Sequence, residues 1–502
     1  MGRHPTDRGE DTIMKPILPL AALLLAAGAC APAAARSLGT LEFKPCTLTA
    51  EGLSQTVEAQ CTTLAVPEDR AQPDGRQIEL AIAWVPSSSP DPKPDPVFML
   101  AGGPGQSAKE SYPMVAGAFG PTLRDRHVVL VDQRGTGASN RLACLDEDGE
   151  NAFSDADDAT PEAAAAFARS CAAKLDADPR FYTTTDAIQD LDAVRAAIGA
   201  SQLNLVGISY GTRLAQQYAK RYPAQTRSLV LDGVVPNALV LGSEHAKNLE
   251  ASLDLQFARC ATDEACAERF GSPRANLDAL FAKLREAPLP VTYRDPFDGS
   301  QRTEDFSPGH LAAVVRMFSY APVMAGMLPL ALHEASQGRP QDLMAQSVML
   351  TSMLGGSIVH GMQLSVMCAE DAPELKVDPA DANTTLGNAL IEVSLAQCAE
   401  WPTGQRPADF RAPLTGELPV LLLSGEFDPV TPPRYADQVG GSLPKSRHLV
   451  GRGVGHGLLA VGCTPRLLAE FLKTTDAAAL DAKCLDDLTY AAPFAGYYGW
   501  EP

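Results

Sequence analysis

Clustered basic residues are missing from this sequence, in which 41 lysines and arginines face 61 aspartates and glutamates for a net charge of −20. A surface that binds nucleic acid gathers lysine and arginine on one face, so the balance counts against that partner. The acidity favours solubility, and a diffuse solvated surface is its ordinary meaning. Also missing from the eleven cysteines are a C-x-x-C pair and any zinc-ligand spacing, which counts against structural metal and dithiol redox chemistry. No apolar run is long enough to span a bilayer. Internal repeats are absent, and low complexity is confined to a proline-rich loop at residues 87–96.

What is present begins with an export signal over residues 1–35. Lys15 gives a basic start after Met14, residues 16–29 an apolar core, and Ala33-Ala34-Ala35 a cleavage site, leaving Arg36 as the first mature residue. Residues 1–13 read as an upstream extension or a misplaced start. A rival reading lipidates Cys30, although Ala27-Gly28-Ala29 lacks the leucine usual in a lipobox. The chain is thus expected to be exported, periplasmic or secreted, with a lipid-anchored form as the alternative. Without Cys30 ten cysteines remain, an even number suited to an oxidising compartment. Pairing of sequence neighbours would join Cys46 to Cys61, Cys144 to Cys171, Cys260 to Cys266, Cys368 to Cys398 and Cys463 to Cys484, but spacing alone does not choose among connectivities.

Short apolar runs at residues 78–84, 97–100, 128–131, 203–206, 229–231, 420–423 and 448–450 read as strands. Helical patterns separate several of them. The clearest, residues 186–198, puts Ile188, Leu191, Val194 and Ile198 on one face, with Thr185 as the expected N-cap and Gly199 as a left-handed stop. Strands alternating with helices predict an α/β fold, a mostly parallel sheet covered on both faces. Residues 237–413 break the alternation with mostly helical patterns. The expected organisation is a core in two parts, 36–236 and 414–502, with a helical cap at 237–413 roofing the carboxyl ends of the strands.

Gly207-Ile208-Ser209-Tyr210-Gly211 lies where the apolar run at 203–206 gives way to a helical one. In a nucleophile elbow a serine sits on a strained strand-to-helix turn, with glycines two before and two after. With 40 glycines in the chain, the pattern arises by chance in roughly one such chain in five, so partners must decide. A serine hydroxyl needs a base, and the base an orienting acid. Asp428 follows the run at 420–423 and His456 follows that at 448–450, in the order Ser209, Asp428, His456 of the α/β-hydrolases. The oxyanion donors expected are the N–H groups of Gly103, in the loop Ala101-Gly102-Gly103-Pro104-Gly105, and of Tyr210. Alone, His456 reads as a structural histidine and Asp428-Pro429 as turn chemistry. Four loops, each directly after a strand and in the required order, favour a site. Asp232, after the run at 229–231, is the alternative acid.

These motifs, together with Asp132-Gln133-Arg134-Gly135-Thr136-Gly137 and Gly455-His456-Gly457, resemble the secreted tripeptidyl aminopeptidases and their proline iminopeptidase relatives, including a cysteine-bearing C-terminal TAP-like segment. Ala101 departs from the histidine usual in proline iminopeptidases, which leaves prolyl specificity open. The resemblance implies an α/β-hydrolase fold with a helical cap between strands six and seven, and a serine aminopeptidase that needs no cofactor or metal. Its substrates would be peptides with a free N-terminus. Glu370 and Asp371 match the family's acidic stretch and are the expected anchors for the substrate ammonium, with Glu244 as a weaker choice and a solvated helix end as the plain alternative. Arg134 is expected to pair with a buried carboxylate, and the aromatic tail at 490–500 to pack on the core. A carboxylesterase using the same triad, and a non-catalytic binding protein that kept the fold, are the rival functions.

Overall fold

The computed structural model describes residues 35–50, 52, 54–145, 160–497 and 499, and only the backbone at 353–355. The export signal and Cys30 lie outside the described residues. Twelve strands are numbered in chain order: β1 (Arg36–Leu38), β2 (Leu41–Thr49), β3 (Thr56–Pro67), β4 (Gln77–Val85), β5 (Val97–Leu100), β6 (Val128–Val131), β7 (Leu203–Ile208), β8 (Thr226–Asp232), β9 (Leu289–Arg294), β10 (Gln301–Phe306), β11 (Val420–Gly425) and β12 (Ser446–Gly451). Ten of them form one sheet in the order β1-β2-β3-β4-β6-β5-β7-β8-β11-β12, and β9 and β10 form a separate hairpin. Antiparallel pairing runs from β1 through β4 to β6, and every pair from β6 to β12 is parallel.

All seven expected strands are present, as β4 to β8, β11 and β12. Strands β1 to β3 and the hairpin were not anticipated. Their side chains alternate in exposure or face water almost throughout, so they carry no continuous apolar run. The parallel strands are the opposite case, since each is enclosed on both faces. Phe98, Leu100, Val129, Val131, Leu203 and Leu205 enter one core, and Val97, Met99, Val128, Leu130 and Val206 the other. The period-two alternation of strand side chains divides each run between two layers. Helices Thr184–Ala197, Tyr210–Arg221 and Pro433–Gly440 cover the first face through Leu191, Val194, Leu214, Tyr218 and Val439. Helices Ala108–Phe119 and Thr464–Thr474 cover the second through Tyr112, Phe119, Leu468 and Phe471.

The helix expected at 186–198 starts two residues earlier, because Thr183 rather than Thr185 is its N-cap. Thr183 accepts from the Asp186 N–H and the Asp186 carboxylate reaches back to the Thr183 N–H, a reciprocal capping box. Gly199, at φ +74°, ends it as expected.

Counted from β3 as the first of eight, β8 is the sixth strand and β11 the seventh, and the segment between them is the insertion. Among the described residues its regular structure is helical except for the β9–β10 hairpin, and it has a core of its own around Leu253, Phe257, Leu280, Phe306, Leu311 and Phe318. Its helix His360–Glu370 instead packs Met362 and Val366 onto the main core. Val359 N–H donates to Gly105 O at 3.0 Å and His456 N–H to Tyr320 O at 2.8 Å, so the insertion is tied to the loops at the carboxyl ends of β5 and β12. The five expected neighbour pairs of cysteines are all bonded.

Arg134, fully buried in the loop after β6, does pair with a carboxylate. Its Nε and Nη2 each lie 2.6 Å from an oxygen of Asp190, and Nη1 donates to the carbonyls of Glu68 and Phe181. Removing one partner of a buried pair leaves the other charge uncompensated, at a cost of about 3–5 kcal/mol. Asp190→Asn should therefore lower unfolding stability in urea by that order, and Asp190→Leu combined with Arg134→Met should cost less than the two single changes summed.

Candidate active site

Ser209 stands at the end of β7 with φ +54° and ψ −122°, a conformation that costs an L-residue roughly 1–3 kcal/mol. Two glycines make room for the turn. A Cβ on Gly207 would lie 2.4 Å from Gly211 O, and one on Gly211 would lie 2.3 Å from Leu100 O, so neither position admits a side chain. Hydrogen bonds hold the strained residue from both sides. Ser209 N–H donates to Asp232 O at 2.8 Å, and Thr212 Oγ1 donates to Ser209 O at 2.6 Å while accepting from Val235 N–H. Helix Tyr210–Arg221 starts on the next residue and points its positive end at the site.

Asp428 and His456, the expected acid and base, stand on the loops after β11 and β12. His456 Nδ1 lies 2.8 Å from Asp428 Oδ2, which leaves Nε2 as the proton acceptor. The imidazole sits over Gly233, the residue after Asp232, whose Cβ would meet His456 Cε1 at 3.0 Å. Ser209 Oγ makes no hydrogen bond to His456 here, and such bonds are commonly long in free sites and tighten around substrate. Asp428 Oδ1 accepts from the N–H groups of Val430 and Thr431, and Oδ2 accepts from Thr431 Oγ1 at 2.8 Å. Burial raises the Asp428 pKa, but the His456 charge and these donors more than offset it, so the carboxylate is held below its ordinary range. Burial lowers that of His456, and the charge and hydrogen bond of Asp428, with a smaller contribution from Asp232, reverse this and hold the imidazole above its ordinary value.

Asp232, the alternative acid, serves another purpose. Its oxygens accept from Leu458 N–H at 2.8 Å and Leu459 N–H at 2.9 Å, fixing the chain just beyond His456, and burial pushes its pKa up to about 6. A second row, Ser424, His448 and Asp437, has triad-like contacts of 3.0 and 2.8 Å. Ser424 is enclosed in β11 with no elbow, so that row is a clamp between strand and helix.

Gly102 of the loop after β5 abuts Ser209, since its Cβ would lie 3.1 Å from Ser209 Cβ. Gly103 N–H donates to nothing among the described residues, and Tyr210, as the first residue of its helix, has an N–H outside the helical ladder. Both expected oxyanion donors are therefore unspent. Tyr320 adds an aromatic wall, its ring edge-on to His456 with centroids 5.1 Å apart.

Glu370 and Asp371 end helix His360–Glu370, and both are fully buried rather than solvated. Asp371 is committed to structure, bound by Arg213, Arg411 and the Leu241 N–H. Glu370 has no ion pair among the described residues. Its oxygens accept from Thr184 N–H at 2.7 Å and Thr184 Oγ1 at 2.9 Å, and Thr184 Oγ1 lies 2.6 Å from the hydroxyl of Tyr210. Burial raises its pKa to about 7 against the opposing charge of Arg213. Glu244 is engaged by Arg434 and the Tyr435 hydroxyl. The tail packs Tyr490 on Phe427 and under Arg259. It touches the acid loop and the insertion rather than the sheet core. Thr431, Tyr320 and Thr184 escaped sequence reasoning. Only Thr431, three residues after Asp428 in a turn, had a local signal.

Comparison with known proteins bears on the fold and the family. The alpha/beta hydrolase fold family matches residues 95–266, and the TAP-like protein family matches residues 383–484. Serine protease Hip1 of Mycobacterium tuberculosis (strain ATCC 25618 / H37Rv) is 26% identical over 449 residues, covering 80% of this chain and 83% of that protein. Tripeptidyl aminopeptidase of Streptomyces lividans is 26% identical over 475 residues, covering 86% and 84%. Proline iminopeptidase of Neisseria gonorrhoeae is 29% identical over 153 residues, covering 30% and 36%.

A base that works through Nε2 must be neutral, so hydrolysis should rise with pH through the raised His456 pKa. Asp428→Asn removes the charge that raises it and the acceptor that fixes the tautomer. The variant should lose roughly 10⁴ in kcat, and any residual activity should show its inflection at lower pH. A pH–rate profile of both proteins checks the direction.

Proposed function

The chain belongs to the α/β-hydrolase-fold serine peptidases with a TAP-like C-terminal part, and from that premise we propose that it is an exported aminopeptidase acting on peptides with a free N-terminus. The observation that carries the reading is the gathering of Ser209, Asp428 and His456 at the carboxyl ends of β7, β11 and β12, with β8 between the first and the other two and His456 bonded to Asp428. Ser209 Oγ attacks the scissile carbonyl as His456 Nε2 takes its proton, and Asp428 holds the ring and stabilises the imidazolium. The N–H groups of Gly103 and Tyr210 receive the oxyanion. Collapse of the tetrahedral intermediate passes the proton to the leaving amine and leaves an acyl-enzyme on Ser209, which water hydrolyses by the same steps. Residues 36–236 and 414–502 supply this machinery, and the cap at 237–413 selects what reaches it.

Glu370 is our anchor for the substrate ammonium. A carboxylate this enclosed and without a cation is costly to ionise, as its raised pKa reflects, and an incoming ammonium would supply the missing charge. Asp371 already has its cations and stands behind Glu370 as a structural partner of Arg213.

Peptide anilides with free and blocked N-termini test the proposal. The free series should be cleaved far better, and equal cleavage of both with faster turnover of simple esters would instead establish an esterase. Glu370→Gln should raise KM for the free series much more than for the blocked one. An equal loss in both would make Glu370 a positioning residue acting through Thr184 and Tyr210.

A further inference from the structure

The loops that carry Asp428 and His456 are laid against each other before either residue is reached. Glu426 N–H donates to Gly451 O at 3.0 Å, and Phe427 N–H to Val454 O at 2.8 Å. Gly425 is pressed on the same stretch, since a Cβ there would collide with Gly455 O. Phe427 adjoins Asp428 and Gly455 adjoins His456, so the register between the two loops sets how the carboxylate meets the imidazole. The Glu426 side chain adds a tie of its own. Its Oε2 accepts from Gly453 N–H at 2.7 Å, three residues before His456. The carboxylate is half-buried and has no ion pair among the described residues, and its other oxygen turns to the C-terminal tail.

Tyr490 of that tail closes the arrangement from outside. Its hydroxyl donates to Glu426 Oε1 at 3.2 Å, and its ring stacks on Phe427 with centroids 5.6 Å apart and planes inclined by 20°. It is pressed on the base loop as well, because Gly453 has φ +65° and a Cβ there would lie 2.9 Å from Tyr490 Cδ1. One side chain thus touches the residue before Asp428, the glycine that Glu426 grips, and Glu426 itself. The tail is fixed on both sides of Tyr490. Cys484 is bonded to Cys463, which follows the base loop, and Phe494 N–H donates to Gly326 O of the insertion at 2.8 Å. The Arg259 guanidinium, also of the insertion, stands 4.1 Å from the centre of the Tyr490 ring, an attractive contact that helps hold the ring in place.

We infer that Glu426 and Tyr490 are positioning residues of the triad, through which the C-terminal tail keeps the acid and base loops in the register that sets His456 Nδ1 against Asp428. The inference rests on the triad reading proposed above. Among the described residues no hydrogen bond or ring contact joins either of them to His456, so both act through Gly453 and Phe427. The base loop has glycine at 451, 453, 455 and 457 and little stiffness of its own. A carboxylate bound to a backbone N–H is a charge-assisted bond, stronger than a neutral one, and it falls in the middle of that run. Misplacing a reacting group by about an ångström can cost roughly a hundredfold in rate, which is why the register matters to the reaction.

The test measures kcat and KM on the free peptide anilides, the rate of fluorophosphonate labelling at Ser209, and the urea midpoint of full-length variants. Glu426→Ala and Tyr490→Ala should each lower kcat and the labelling rate by about ten- to a hundredfold with KM little changed, because the base is displaced while substrate binding is not. Glu426→Gln keeps an acceptor for Gly453 N–H and an amide that can meet the Tyr490 oxygen, and Tyr490→Phe keeps the ring on Phe427 and Gly453. Both should recover most of the loss. Rates are taken per folded molecule, so a change in stability alone does not move them, and the two Tyr490 variants carry the test should Glu426→Ala fail to fold. Labelling also separates the inference from the substrate assignment. A wild type that labels at Ser209 but cleaves no peptide defeats the aminopeptidase reading, and the labelling rates still decide the role of Glu426 and Tyr490. Folded alanine variants with wild-type kcat and labelling, losses confined to KM, or conservative variants as impaired as the alanine ones overturn the inference.

Discussion

The positive φ of Ser209 is the constraint from which the rest of the site is arranged. A residue that costs roughly 1–3 kcal/mol to hold persists only where its surroundings over-determine it, and here they do so from several directions. Gly207 and Gly211 are pressed against backbone, which fixes how β7 turns into its helix. The Ser209 N–H is held by the carbonyl of Asp232 on the adjoining strand, and the side chain of Asp232 holds the chain beyond His456. One strand end therefore holds both Ser209 and the chain beyond His456. The parallel sheet makes this possible by bringing the carboxyl ends of β5, β7, β8, β11 and β12 side by side.

Charge is handled differently according to its task. Arg134 with Asp190, and Arg213 with Asp371, are enclosed pairs in which each carboxylate also meets a second arginine, Arg70 or Arg411, and they brace the loops and insertion around the site. Asp428 and His456 also pair, and their partnership holds the imidazole above its ordinary value. Glu370 fits neither class. Among the described residues it is a buried carboxylate with no ion pair, and the insertion carries it. A peptide ammonium would supply the charge it lacks.

The seven core strands were legible because parallel strands covered on both faces must be apolar throughout. Ser209, Asp428 and His456 could be proposed as a triad because each stands in a loop just beyond such a strand. The neighbour pairing of the cysteines also matched the fold. What escaped lacked a local signature. Strands β1 to β3 alternate polar and apolar residues, and β10 is nearly all polar. The N-cap fell at Thr183 because the reciprocal bond with Asp186, not the apolar periodicity, sets the helix start. Asp371 resembled Glu370 in sequence, and only the distant Arg213 and Arg411 distinguish it. Tyr320 lies 136 residues before His456 in the chain, and no spacing rule joins the two.

The central claim is that Ser209 is a nucleophile activated by His456. It is tested most directly by treating the folded protein with a fluorophosphonate and locating the adduct by peptide mass spectrometry. The account predicts a single adduct on Ser209, absent in Ser209→Ala and formed far more slowly in His456→Ala. Labelling at another serine, or undiminished labelling of Ser209 without His456, would contradict it.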